Sequence, residues 1–287
     1  MFKTGCHVSI AGGVWNAPKN AAELQCETFQ IFTRSPQGGP AAELTGEVLE
    51  KFFLEMEKYG FQEFVVHCPY YINFGSANSR IYHGSVSVVR QELERTSLLK
   101  GSYVMFHTGS GKDLGKVKAV KQAQEGLKKI LDGYKGAAKL LIEIAAGAGE
   151  ILGDTFEEIA ELMEPIKKHE GFGGVCFDTQ HAWASGYNLV QPEVVFKKFD
   201  QAVGLKWLKM SHINDSKVEL GSRKDRHEHI GEGLLGKAGL ESLLGFWGKV
   251  LPKSAVFPLI LETEHDKVKA DIKILKTLAG GRSNKGK

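Results

Sequence analysis

Nine residues of metal-ligand type, His67, His107, Glu143, Asp178, His181, His212, Asp225, His227 and Glu262, stand at or just beyond the ends of short apolar runs. Taken alone, a histidine closing such a run, as His67 does, reads as a satisfied structural side chain. A carboxylate such as Glu143, Asp178 or Glu262 is harder to place, because an isolated carboxylate is strongly disfavoured in a low-dielectric interior. Several carboxylates and imidazoles gathered together repel or stay unsatisfied unless positive charge sits among them. A divalent metal cluster meets that need. Mixed imidazole and carboxylate donors suit Zn²⁺, Mn²⁺ or Fe²⁺, whereas all-oxygen sets suit Mg²⁺ or Ca²⁺. Asp225 and His227 are spaced i, i+2, so extended backbone points both the same way and they can hold one ion. Asp178 and His181, i, i+3 apart where a strand turns toward a helix, can serve neighbouring ions. Nine ligands exceed the roughly four that one zinc takes, so two or three ions fit better.

Two neighbouring segments bear on what such a cluster would act upon. The long loop 217–236 carries Lys217, Arg223, Lys224 and Arg226 beside Asp225 and His227. Charged loops are usually solvated, but basic side chains flanking a metal site suit contact with phosphate. The segment HCPYYINFG brings Tyr70 and Tyr71 just past His67. These rings either stack on or wedge between bases, or simply close the top of the fold.

The elements that must position these residues alternate regularly. Short apolar runs at 6–10, 28–32, 63–67, 103–107, 140–144, 174–178, 207–212 and 259–262 read as buried parallel strands. Amphipathic stretches at 46–59, 84–100, 116–134, 154–169, 192–203, 237–250 and 267–278 read as helices, with Asp154 or Thr155 as an N-cap. Eight strands alternating with helices predict a single (β/α)8 TIM barrel, whose strand ends converge at the face where active sites sit. An open doubly wound sheet is the alternative, but no Gly-rich dinucleotide loop follows the first strand. The barrel is expected over 1–279, with a basic, disordered tail at 280–287.

Composition sets the outer bounds. The 287 residues are 42% hydrophobic and 25% charged, which excludes a disordered chain. The 34 glycines point to many tight turns, and a net charge of +3 is too even for a histone-like binder while allowing a local basic face. Cys6, Cys26, Cys68 and Cys176 form no CxxC pair and suggest no disulfide framework, so a reducing compartment is expected. No signal-peptide-like leader and no apolar run near the ~18 residues of a membrane span are seen. A cytoplasmic, monomeric protein without membrane contact is the resulting expectation.

Three segments, HCPYYINFG at 67–75, GVCFDTQH at 174–181 and HINDSKVELGSRKDRH at 212–227, closely resemble the signature segments of the endonuclease IV family, the zinc-dependent apurinic/apyrimidinic (AP) endonucleases. CHVSIAGG, FHTGS, IEIAAGAG and LET also look like that family in the right order, so the resemblance runs from Gly5 to about Leu278. It implies a barrel with three zinc ions, Mn²⁺ being a substitute. The expected reaction is hydrolysis of the phosphodiester 5′ to an abasic site in double-stranded DNA by zinc-activated hydroxide. The products would be a 3′-hydroxyl and a 5′-deoxyribose phosphate, and blocked 3′ ends would also be trimmed. By matching motif, His67 and His107 would bind one zinc with Glu143 bridging to a second, which Asp178, His212 and Glu262 complete. His181, Asp225 and His227 would hold the third, and Glu143 would orient or deprotonate the nucleophile. Arg34, Gln37, Tyr70, Asn73, Lys217, Arg223 and Arg226 would face DNA.

The chain departs from the family at three places. Gln180 stands where a cysteine is common, and reads as a hydrogen-bonding group behind the ligands. The loop FTRSPQGGP at 32–40 carries Gln37 and lacks the usual Trp, and Gly111 stands where some relatives carry His. A divalent-metal-dependent sugar isomerase on the same barrel would use similar strand-end ligands. It would not need Asp225-Arg226-His227 in a basic loop. A catalytically silent abasic-site binder should have lost a ligand, and none is lost.

Overall fold

A computed structural model describes residues 1–280. Eight parallel strands form one sheet: β1 (Phe2–Cys6), β2 (Gln30–Ile31), β3 (Val65–His67), β4 (Tyr103–Phe106), β5 (Lys139–Glu143), β6 (Phe172–Asp178), β7 (Leu208–His212) and β10 (Phe257–Leu261). A small antiparallel pair, β8 (Asp215–Ser216) and β9 (His227–Glu228), lies between the last two of these. The strand order in the large sheet is β1-β10-β7-β6-β5-β4-β3-β2. A parallel bridge between His7 and Gln30 closes the ring between its two end strands. Helices follow the strands: α1 (Asn16–Glu23), α2 (Gly46–Lys58), α3 (Ser79–Leu98), α4 (Lys116–Leu131), α5 (Phe156–Met163), α6 (Thr179–Ala184), α7 (Pro192–Ala202), α8 (Gly236–Val250) and α9 (Val268–Gly280). The fold is the TIM barrel that the alternation of runs implies.

Two apolar layers hold it. A large core lies between strands and helices and includes Phe29, Phe106, Phe177, Phe196 and Trp247. Inside the barrel, Val65, Met105, Leu141, Cys176, Met210 and Ile260 form a separate fully buried cluster. Each stands two residues before a ligand-type residue: His67, His107, Glu143, Asp178, His212 and Glu262. Side chains two apart on a strand share a face. The six polar groups therefore sit on an apolar floor, one level nearer the barrel mouth.

Several elements differ from the sequence reading. The first strand is Phe2–Cys6 rather than 6–10, because its whole length pairs with Phe257–Leu261. Helix α1 was not expected, since its inward face is small: Ala17, Pro18 and Ala21. Helix α6 is short and buried on all sides, so it shows no amphipathic period. Helix α3 starts earlier, at Ser79, where the Asn78 side chain accepts the N–H groups of Arg80 and Ile81. Helix α5 is shorter, and Thr155 is its N-cap, accepting the Glu158 N–H at 3.2 Å. The long basic loop is not wholly irregular, since β8 and β9 pair across it. Gly280 closes α9 instead of opening a tail, and the rest of the expected tail, 281–287, lies outside the described residues. Among the described residues no helix is long and apolar enough to cross a membrane.

The seam between the first two strands is tight. A Cβ on Gly5 would lie 1.9 Å from the Thr28 carbonyl oxygen, while the Glu27 N–H donates to Thr4 O at 2.7 Å and the Val8 N–H to Gln30 O at 2.8 Å. Gly5→Ala should thus lower stability by roughly 1–3 kcal/mol or more, since backbone cannot yield as a flexible side chain does. Urea unfolding checks this: a lower midpoint at constant slope is expected, and a parental midpoint would show that the seam relaxes freely.

Candidate metal centre at the barrel mouth

Strand ends deliver the site. His67, Glu143, Asp178 and His212 are the last residues of β3, β5, β6 and β7, and His107 and Glu262 immediately follow β4 and β10. His181 lies one turn into α6, whose N-cap is Asp178; the His181 N–H donates to Asp178 Oδ1 at 2.7 Å. Asp225 and His227 come from the loop that ends in β9.

Glu143 is the hub. Its Oε2 lies 3.1 Å from His67 Nε2 and 3.4 Å from His107 Nε2. Its Oε1 lies 2.9 Å from His212 Nδ1 and 3.4 Å from His181 Nδ1. His212 Nδ1 is also 3.3 Å from Glu262 Oε2 and 3.8 Å from Asp178 Oδ2. Asp225 reaches both loop-side imidazoles, with Oδ2 3.3 Å from His181 Nε2 and Oδ1 3.4 Å from His227 Nε2. Potential ligand atoms thus gather into overlapping groups: His67, His107 and Glu143; Glu143, Asp178, His212 and Glu262; and Asp178, His181 and His227. The structure brings all nine expected residues together.

The hydrogen bonds fix which imidazole nitrogens are free. His67 Nδ1 lies 2.5 Å from Cys68 O and His181 Nδ1 2.9 Å from Ile144 O. A carbonyl only accepts, so each Nδ1 carries the hydrogen and each Nε2 keeps its lone pair in the neutral ring. That lone pair faces carboxylate oxygen, an arrangement that repels unless a cation or a proton lies between. His181 Nε2 and His227 Nε2 are buried with no hydrogen-bond partner among the described residues. Orphaned nitrogens beside buried carboxylates are what a divalent cation would complete, and the donor set fits zinc.

Protons fill the same role when no cation does. Burial opposes charge on His181 and His212, yet their neighbours, Asp178 and Asp225 for the first and Cys176, Glu262 and Glu143 for the second, push both pKa values well above the usual histidine range. Burial likewise opposes charge on Glu143, and His212 and His107 nevertheless hold its carboxyl well below the usual range. Burial also works against Glu262, which His212 and His67 help bring down to about 2.

Supporting residues lie just behind. Asn214 Nδ2 donates to Asp178 Oδ2 at 2.8 Å, and its Oδ1 accepts the Glu262 N–H at 2.9 Å. Gln180 is fully buried and donates to Lys224 O at 2.9 Å, tying down the loop next to Asp225. This is the hydrogen-bonding part its position suggested. Sequence reasoning missed Asn214, Asp215 and Gln30. Asp215 accepts the backbone N–H groups of Ser216, Gly231, Gly233, Leu235 and Gly236, and so shapes the loop beyond β9. The run HINDS, with two polar residues inside a buried segment, was the available signal.

The residues expected to face DNA divide. Tyr70 is 61% exposed and its ring lies 5.7 Å from that of His67 and 6.1 Å from that of His107, at the rim of the site. Tyr71, Gln37, Lys217 and Arg226 are exposed on the same face of the barrel, Lys217 reaching Glu264 at 3.2 Å. Arg34 is corrected: it is buried, with Nε 2.5 Å from Glu92 Oε1 and Nη2 donating to Gln91, so it braces the loop after β2 from within. Asn73 is also drawn inward, its Oδ1 accepting the N–H groups of Gly75 and Ser110. Arg223 adopts a positive φ of 58° and clasps Gly147 O and Asp154 Oδ2, both at 2.8 Å. It joins two loops over the site, and its side chain stays 58% exposed.

A family model described as a xylose isomerase-like TIM barrel matches residues 18–277. A probable endonuclease 4 of Halothermothrix orenii is 34% identical over 265 residues, covering 91% of this chain and 93% of that one. A probable endonuclease 4 of Methanocorpusculum labreanum is 37% identical, covering 94% and 96%. The crystal structure of endonuclease IV from Thermus thermophilus superposes with a TM-score of 0.83 at 32% identity, covering 97% of this chain and 99% of that one.

Protons and metal compete for one cavity. Metal-free protein should release protons when titrated with Zn²⁺, because His181 and His212 hold raised pKa values until a cation replaces their protons. Apparent zinc affinity should rise with pH across the range in which these histidines deprotonate, and fall on acidification. Calorimetry in buffers of different ionisation enthalpy reads the proton count; binding without proton release would contradict this electrostatic reading.

Proposed function

The chain belongs to the endonuclease IV family, and on that footing we propose that it is a DNA-repair endonuclease. It hydrolyses the phosphodiester on the 5′ side of an abasic site in duplex DNA, leaving a 3′-hydroxyl and a 5′-deoxyribose phosphate, and trims blocked 3′ ends. The observation that carries this reading is the buried Glu143 carboxylate, ringed by four imidazoles at the foot of an open mouth.

The ligands would hold three zinc ions: His67 and His107 with Glu143; Glu143 with Asp178, His212 and Glu262; and His181 with Asp225 and His227. Bound divalent ions supply Lewis acidity, easing deprotonation of water toward neutral pH and balancing charge that develops on phosphate. Glu143 would be shared between two of these ion positions, and its oxygens would orient the attacking water by accepting its hydrogen. Tyr70 offers a ring at the rim to fill the space of the missing base. An abasic sugar has little stacking to oppose its extrusion, which favours it over an intact nucleotide. Arg226 and Lys217 face phosphate, while Arg223 keeps their loop across the site.

The family description also covers the sugar-isomerase fold. A small sugar pocket has no use for a 61% exposed tyrosine at its rim or for exposed Lys217 and Arg226 beside the ligands. The DNA reading uses both.

A duplex with one abasic analogue decides the matter. The purified protein should yield a single incision 5′ to the lesion, and intact DNA after incubation with fully metal-loaded protein would refute the reading. Glu143→Gln should slow incision by roughly a hundred- to ten-thousandfold, the range for loss of a positioned acid–base group, while still binding abasic DNA.

Tyr70→Ala should weaken binding to the same duplex by about ten- to a hundredfold, as loss of one stacking contact predicts. Tyr70→Phe should be close to parental, and zinc content should stay constant in both. Parental affinity in Tyr70→Ala would mean that the ring merely lines the mouth.

A further inference from the structure

Among the nine ligand-type residues, none comes from β1 or β2, yet β2 sends a fully buried polar side chain into the site. Gln30 Oε1 lies 2.8 Å from His212 Nε2. Its Nε2 lies 2.7 Å from Glu262 Oε1 and 3.1 Å from His7 Nδ1. The direction of the amide is set by chemistry. Glu262 only accepts, so the amide nitrogen must face it, and the amide oxygen then faces His212. An amide oxygen also only accepts, so His212 carries its hydrogen on Nε2. In the neutral ring, Nδ1 then presents its lone pair to the space bounded by Glu143 Oε1 at 2.9 Å, Glu262 Oε2 at 3.3 Å and Asp178 Oδ2 at 3.8 Å. The two amide hydrogens are both used, one on Glu262 and one on His7.

His212 is therefore unlike His67 and His181, which are held by their Nδ1–H groups and present Nε2. A backbone carbonyl orients each of those two, whereas a side chain from the closing seam of the barrel orients His212. We propose that Gln30 is a positioning residue: it fixes His212 as an Nδ1 ligand and holds Glu262 beside it, preorganising the metal position those two share with Glu143 and Asp178. This inference rests on the reading of the site as a metal centre and adds which residue sets the geometry of one ion. Gln30→Leu keeps the bulk of the side chain and removes its contacts to His212, Glu262 and His7. Partners of this kind behind a ligand typically contribute about ten- to a hundredfold to metal affinity.

The test is made without DNA. Metal-free parent and Gln30→Leu proteins are loaded with Zn²⁺ and titrated against a chromophoric chelator. The parent should retain three ions. Gln30→Leu should hold one of them about ten- to a hundredfold more weakly, with the other two unchanged. Parental affinity for every ion in Gln30→Leu overturns the proposal while leaving the functional reading intact. Absence of zinc binding by the parent overturns both. Loss of one ion in Gln30→Leu from a protein that does not incise abasic DNA supports the proposal and removes the functional reading instead. Nitrogen-15 spectra of zinc-loaded parent protein guard against a variant that fails to fold. One ligand histidine should show a metal-bound Nδ1 and a protonated Nε2, and that resonance should be His212, identified by its loss in His212→Asn. A protonated Nδ1 on His212 refutes the proposal directly.

Discussion

A buried carboxylate that touches four imidazoles is the constraint on which this molecule turns. Glu143 is fully enclosed, and removing its charge from water is costly unless opposite charge lies within a few ångströms. His67, His107, His181 and His212 surround it, but backbone carbonyls hold the Nδ1–H groups of His67 and His181, so in the neutral rings the Nε2 lone pairs face Glu143 and Asp225. The polar cluster is thus incomplete as a purely protein structure. Protons complete it at the expense of the pKa values of His181 and His212, and divalent cations would complete it better. The apolar floor formed by Val65, Met105, Leu141, Cys176, Met210 and Ile260 keeps water from relieving the problem from below.

Everything above that floor serves to hold the cluster open on one side and rigid on the other. Asn214 links Asp178 to the backbone of Glu262, Gln180 anchors the loop beside Asp225, and Gln30 ties the closing seam of the barrel to His212 and Glu262. Arg223 and Asp215 shape the long loop from its two flanks, one by a clasp to Asp154 and the other by collecting backbone N–H groups. Tyr70 stays exposed at the rim, with the rings of Phe32, His67 and His107 beside it.

The fold was legible because its signal is repeated. Eight apolar runs separated by amphipathic stretches leave few architectures open, and the ligand types at the run ends point to one face. A further regularity was present and is plain once the barrel is seen. In V-x-H at 65–67, M-x-H at 105–107, L-x-E at 141–143, C-x-D at 176–178, M-x-H at 210–212 and I-x-E at 260–262, an apolar residue precedes each ligand-type residue by two positions. Period-two alternation puts both on the interior face, one in the apolar floor and one in the polar cluster above it. Helix α1 escaped notice because its buried face is alanine and proline, too small to produce an apolar stripe, and α6 because burial on every side erases the stripe altogether.

The sequence by itself determined the kind of chemistry: which residues are ligand types, how they are spaced along the strands, and that their gathered charges call for a cation. Those are local properties of residue type and period. Tertiary structure alone decided how each polar side chain is spent. Arg34 looked like a basic residue in a DNA-facing loop, but Glu92, from α3, draws it into the interior. Arg223 looked wholly free, but Asp154 and Gly147 hold one side of a guanidinium that otherwise stays exposed. Gln30 looked like one more strand residue, and the closure of the ring against β1 and β10 turned it into the support for His212 and Glu262. In each case the partner lies far away along the chain. Hydrogen bonds and ion pairs are settled by distances of about 3 Å, which no local pattern of residue types encodes.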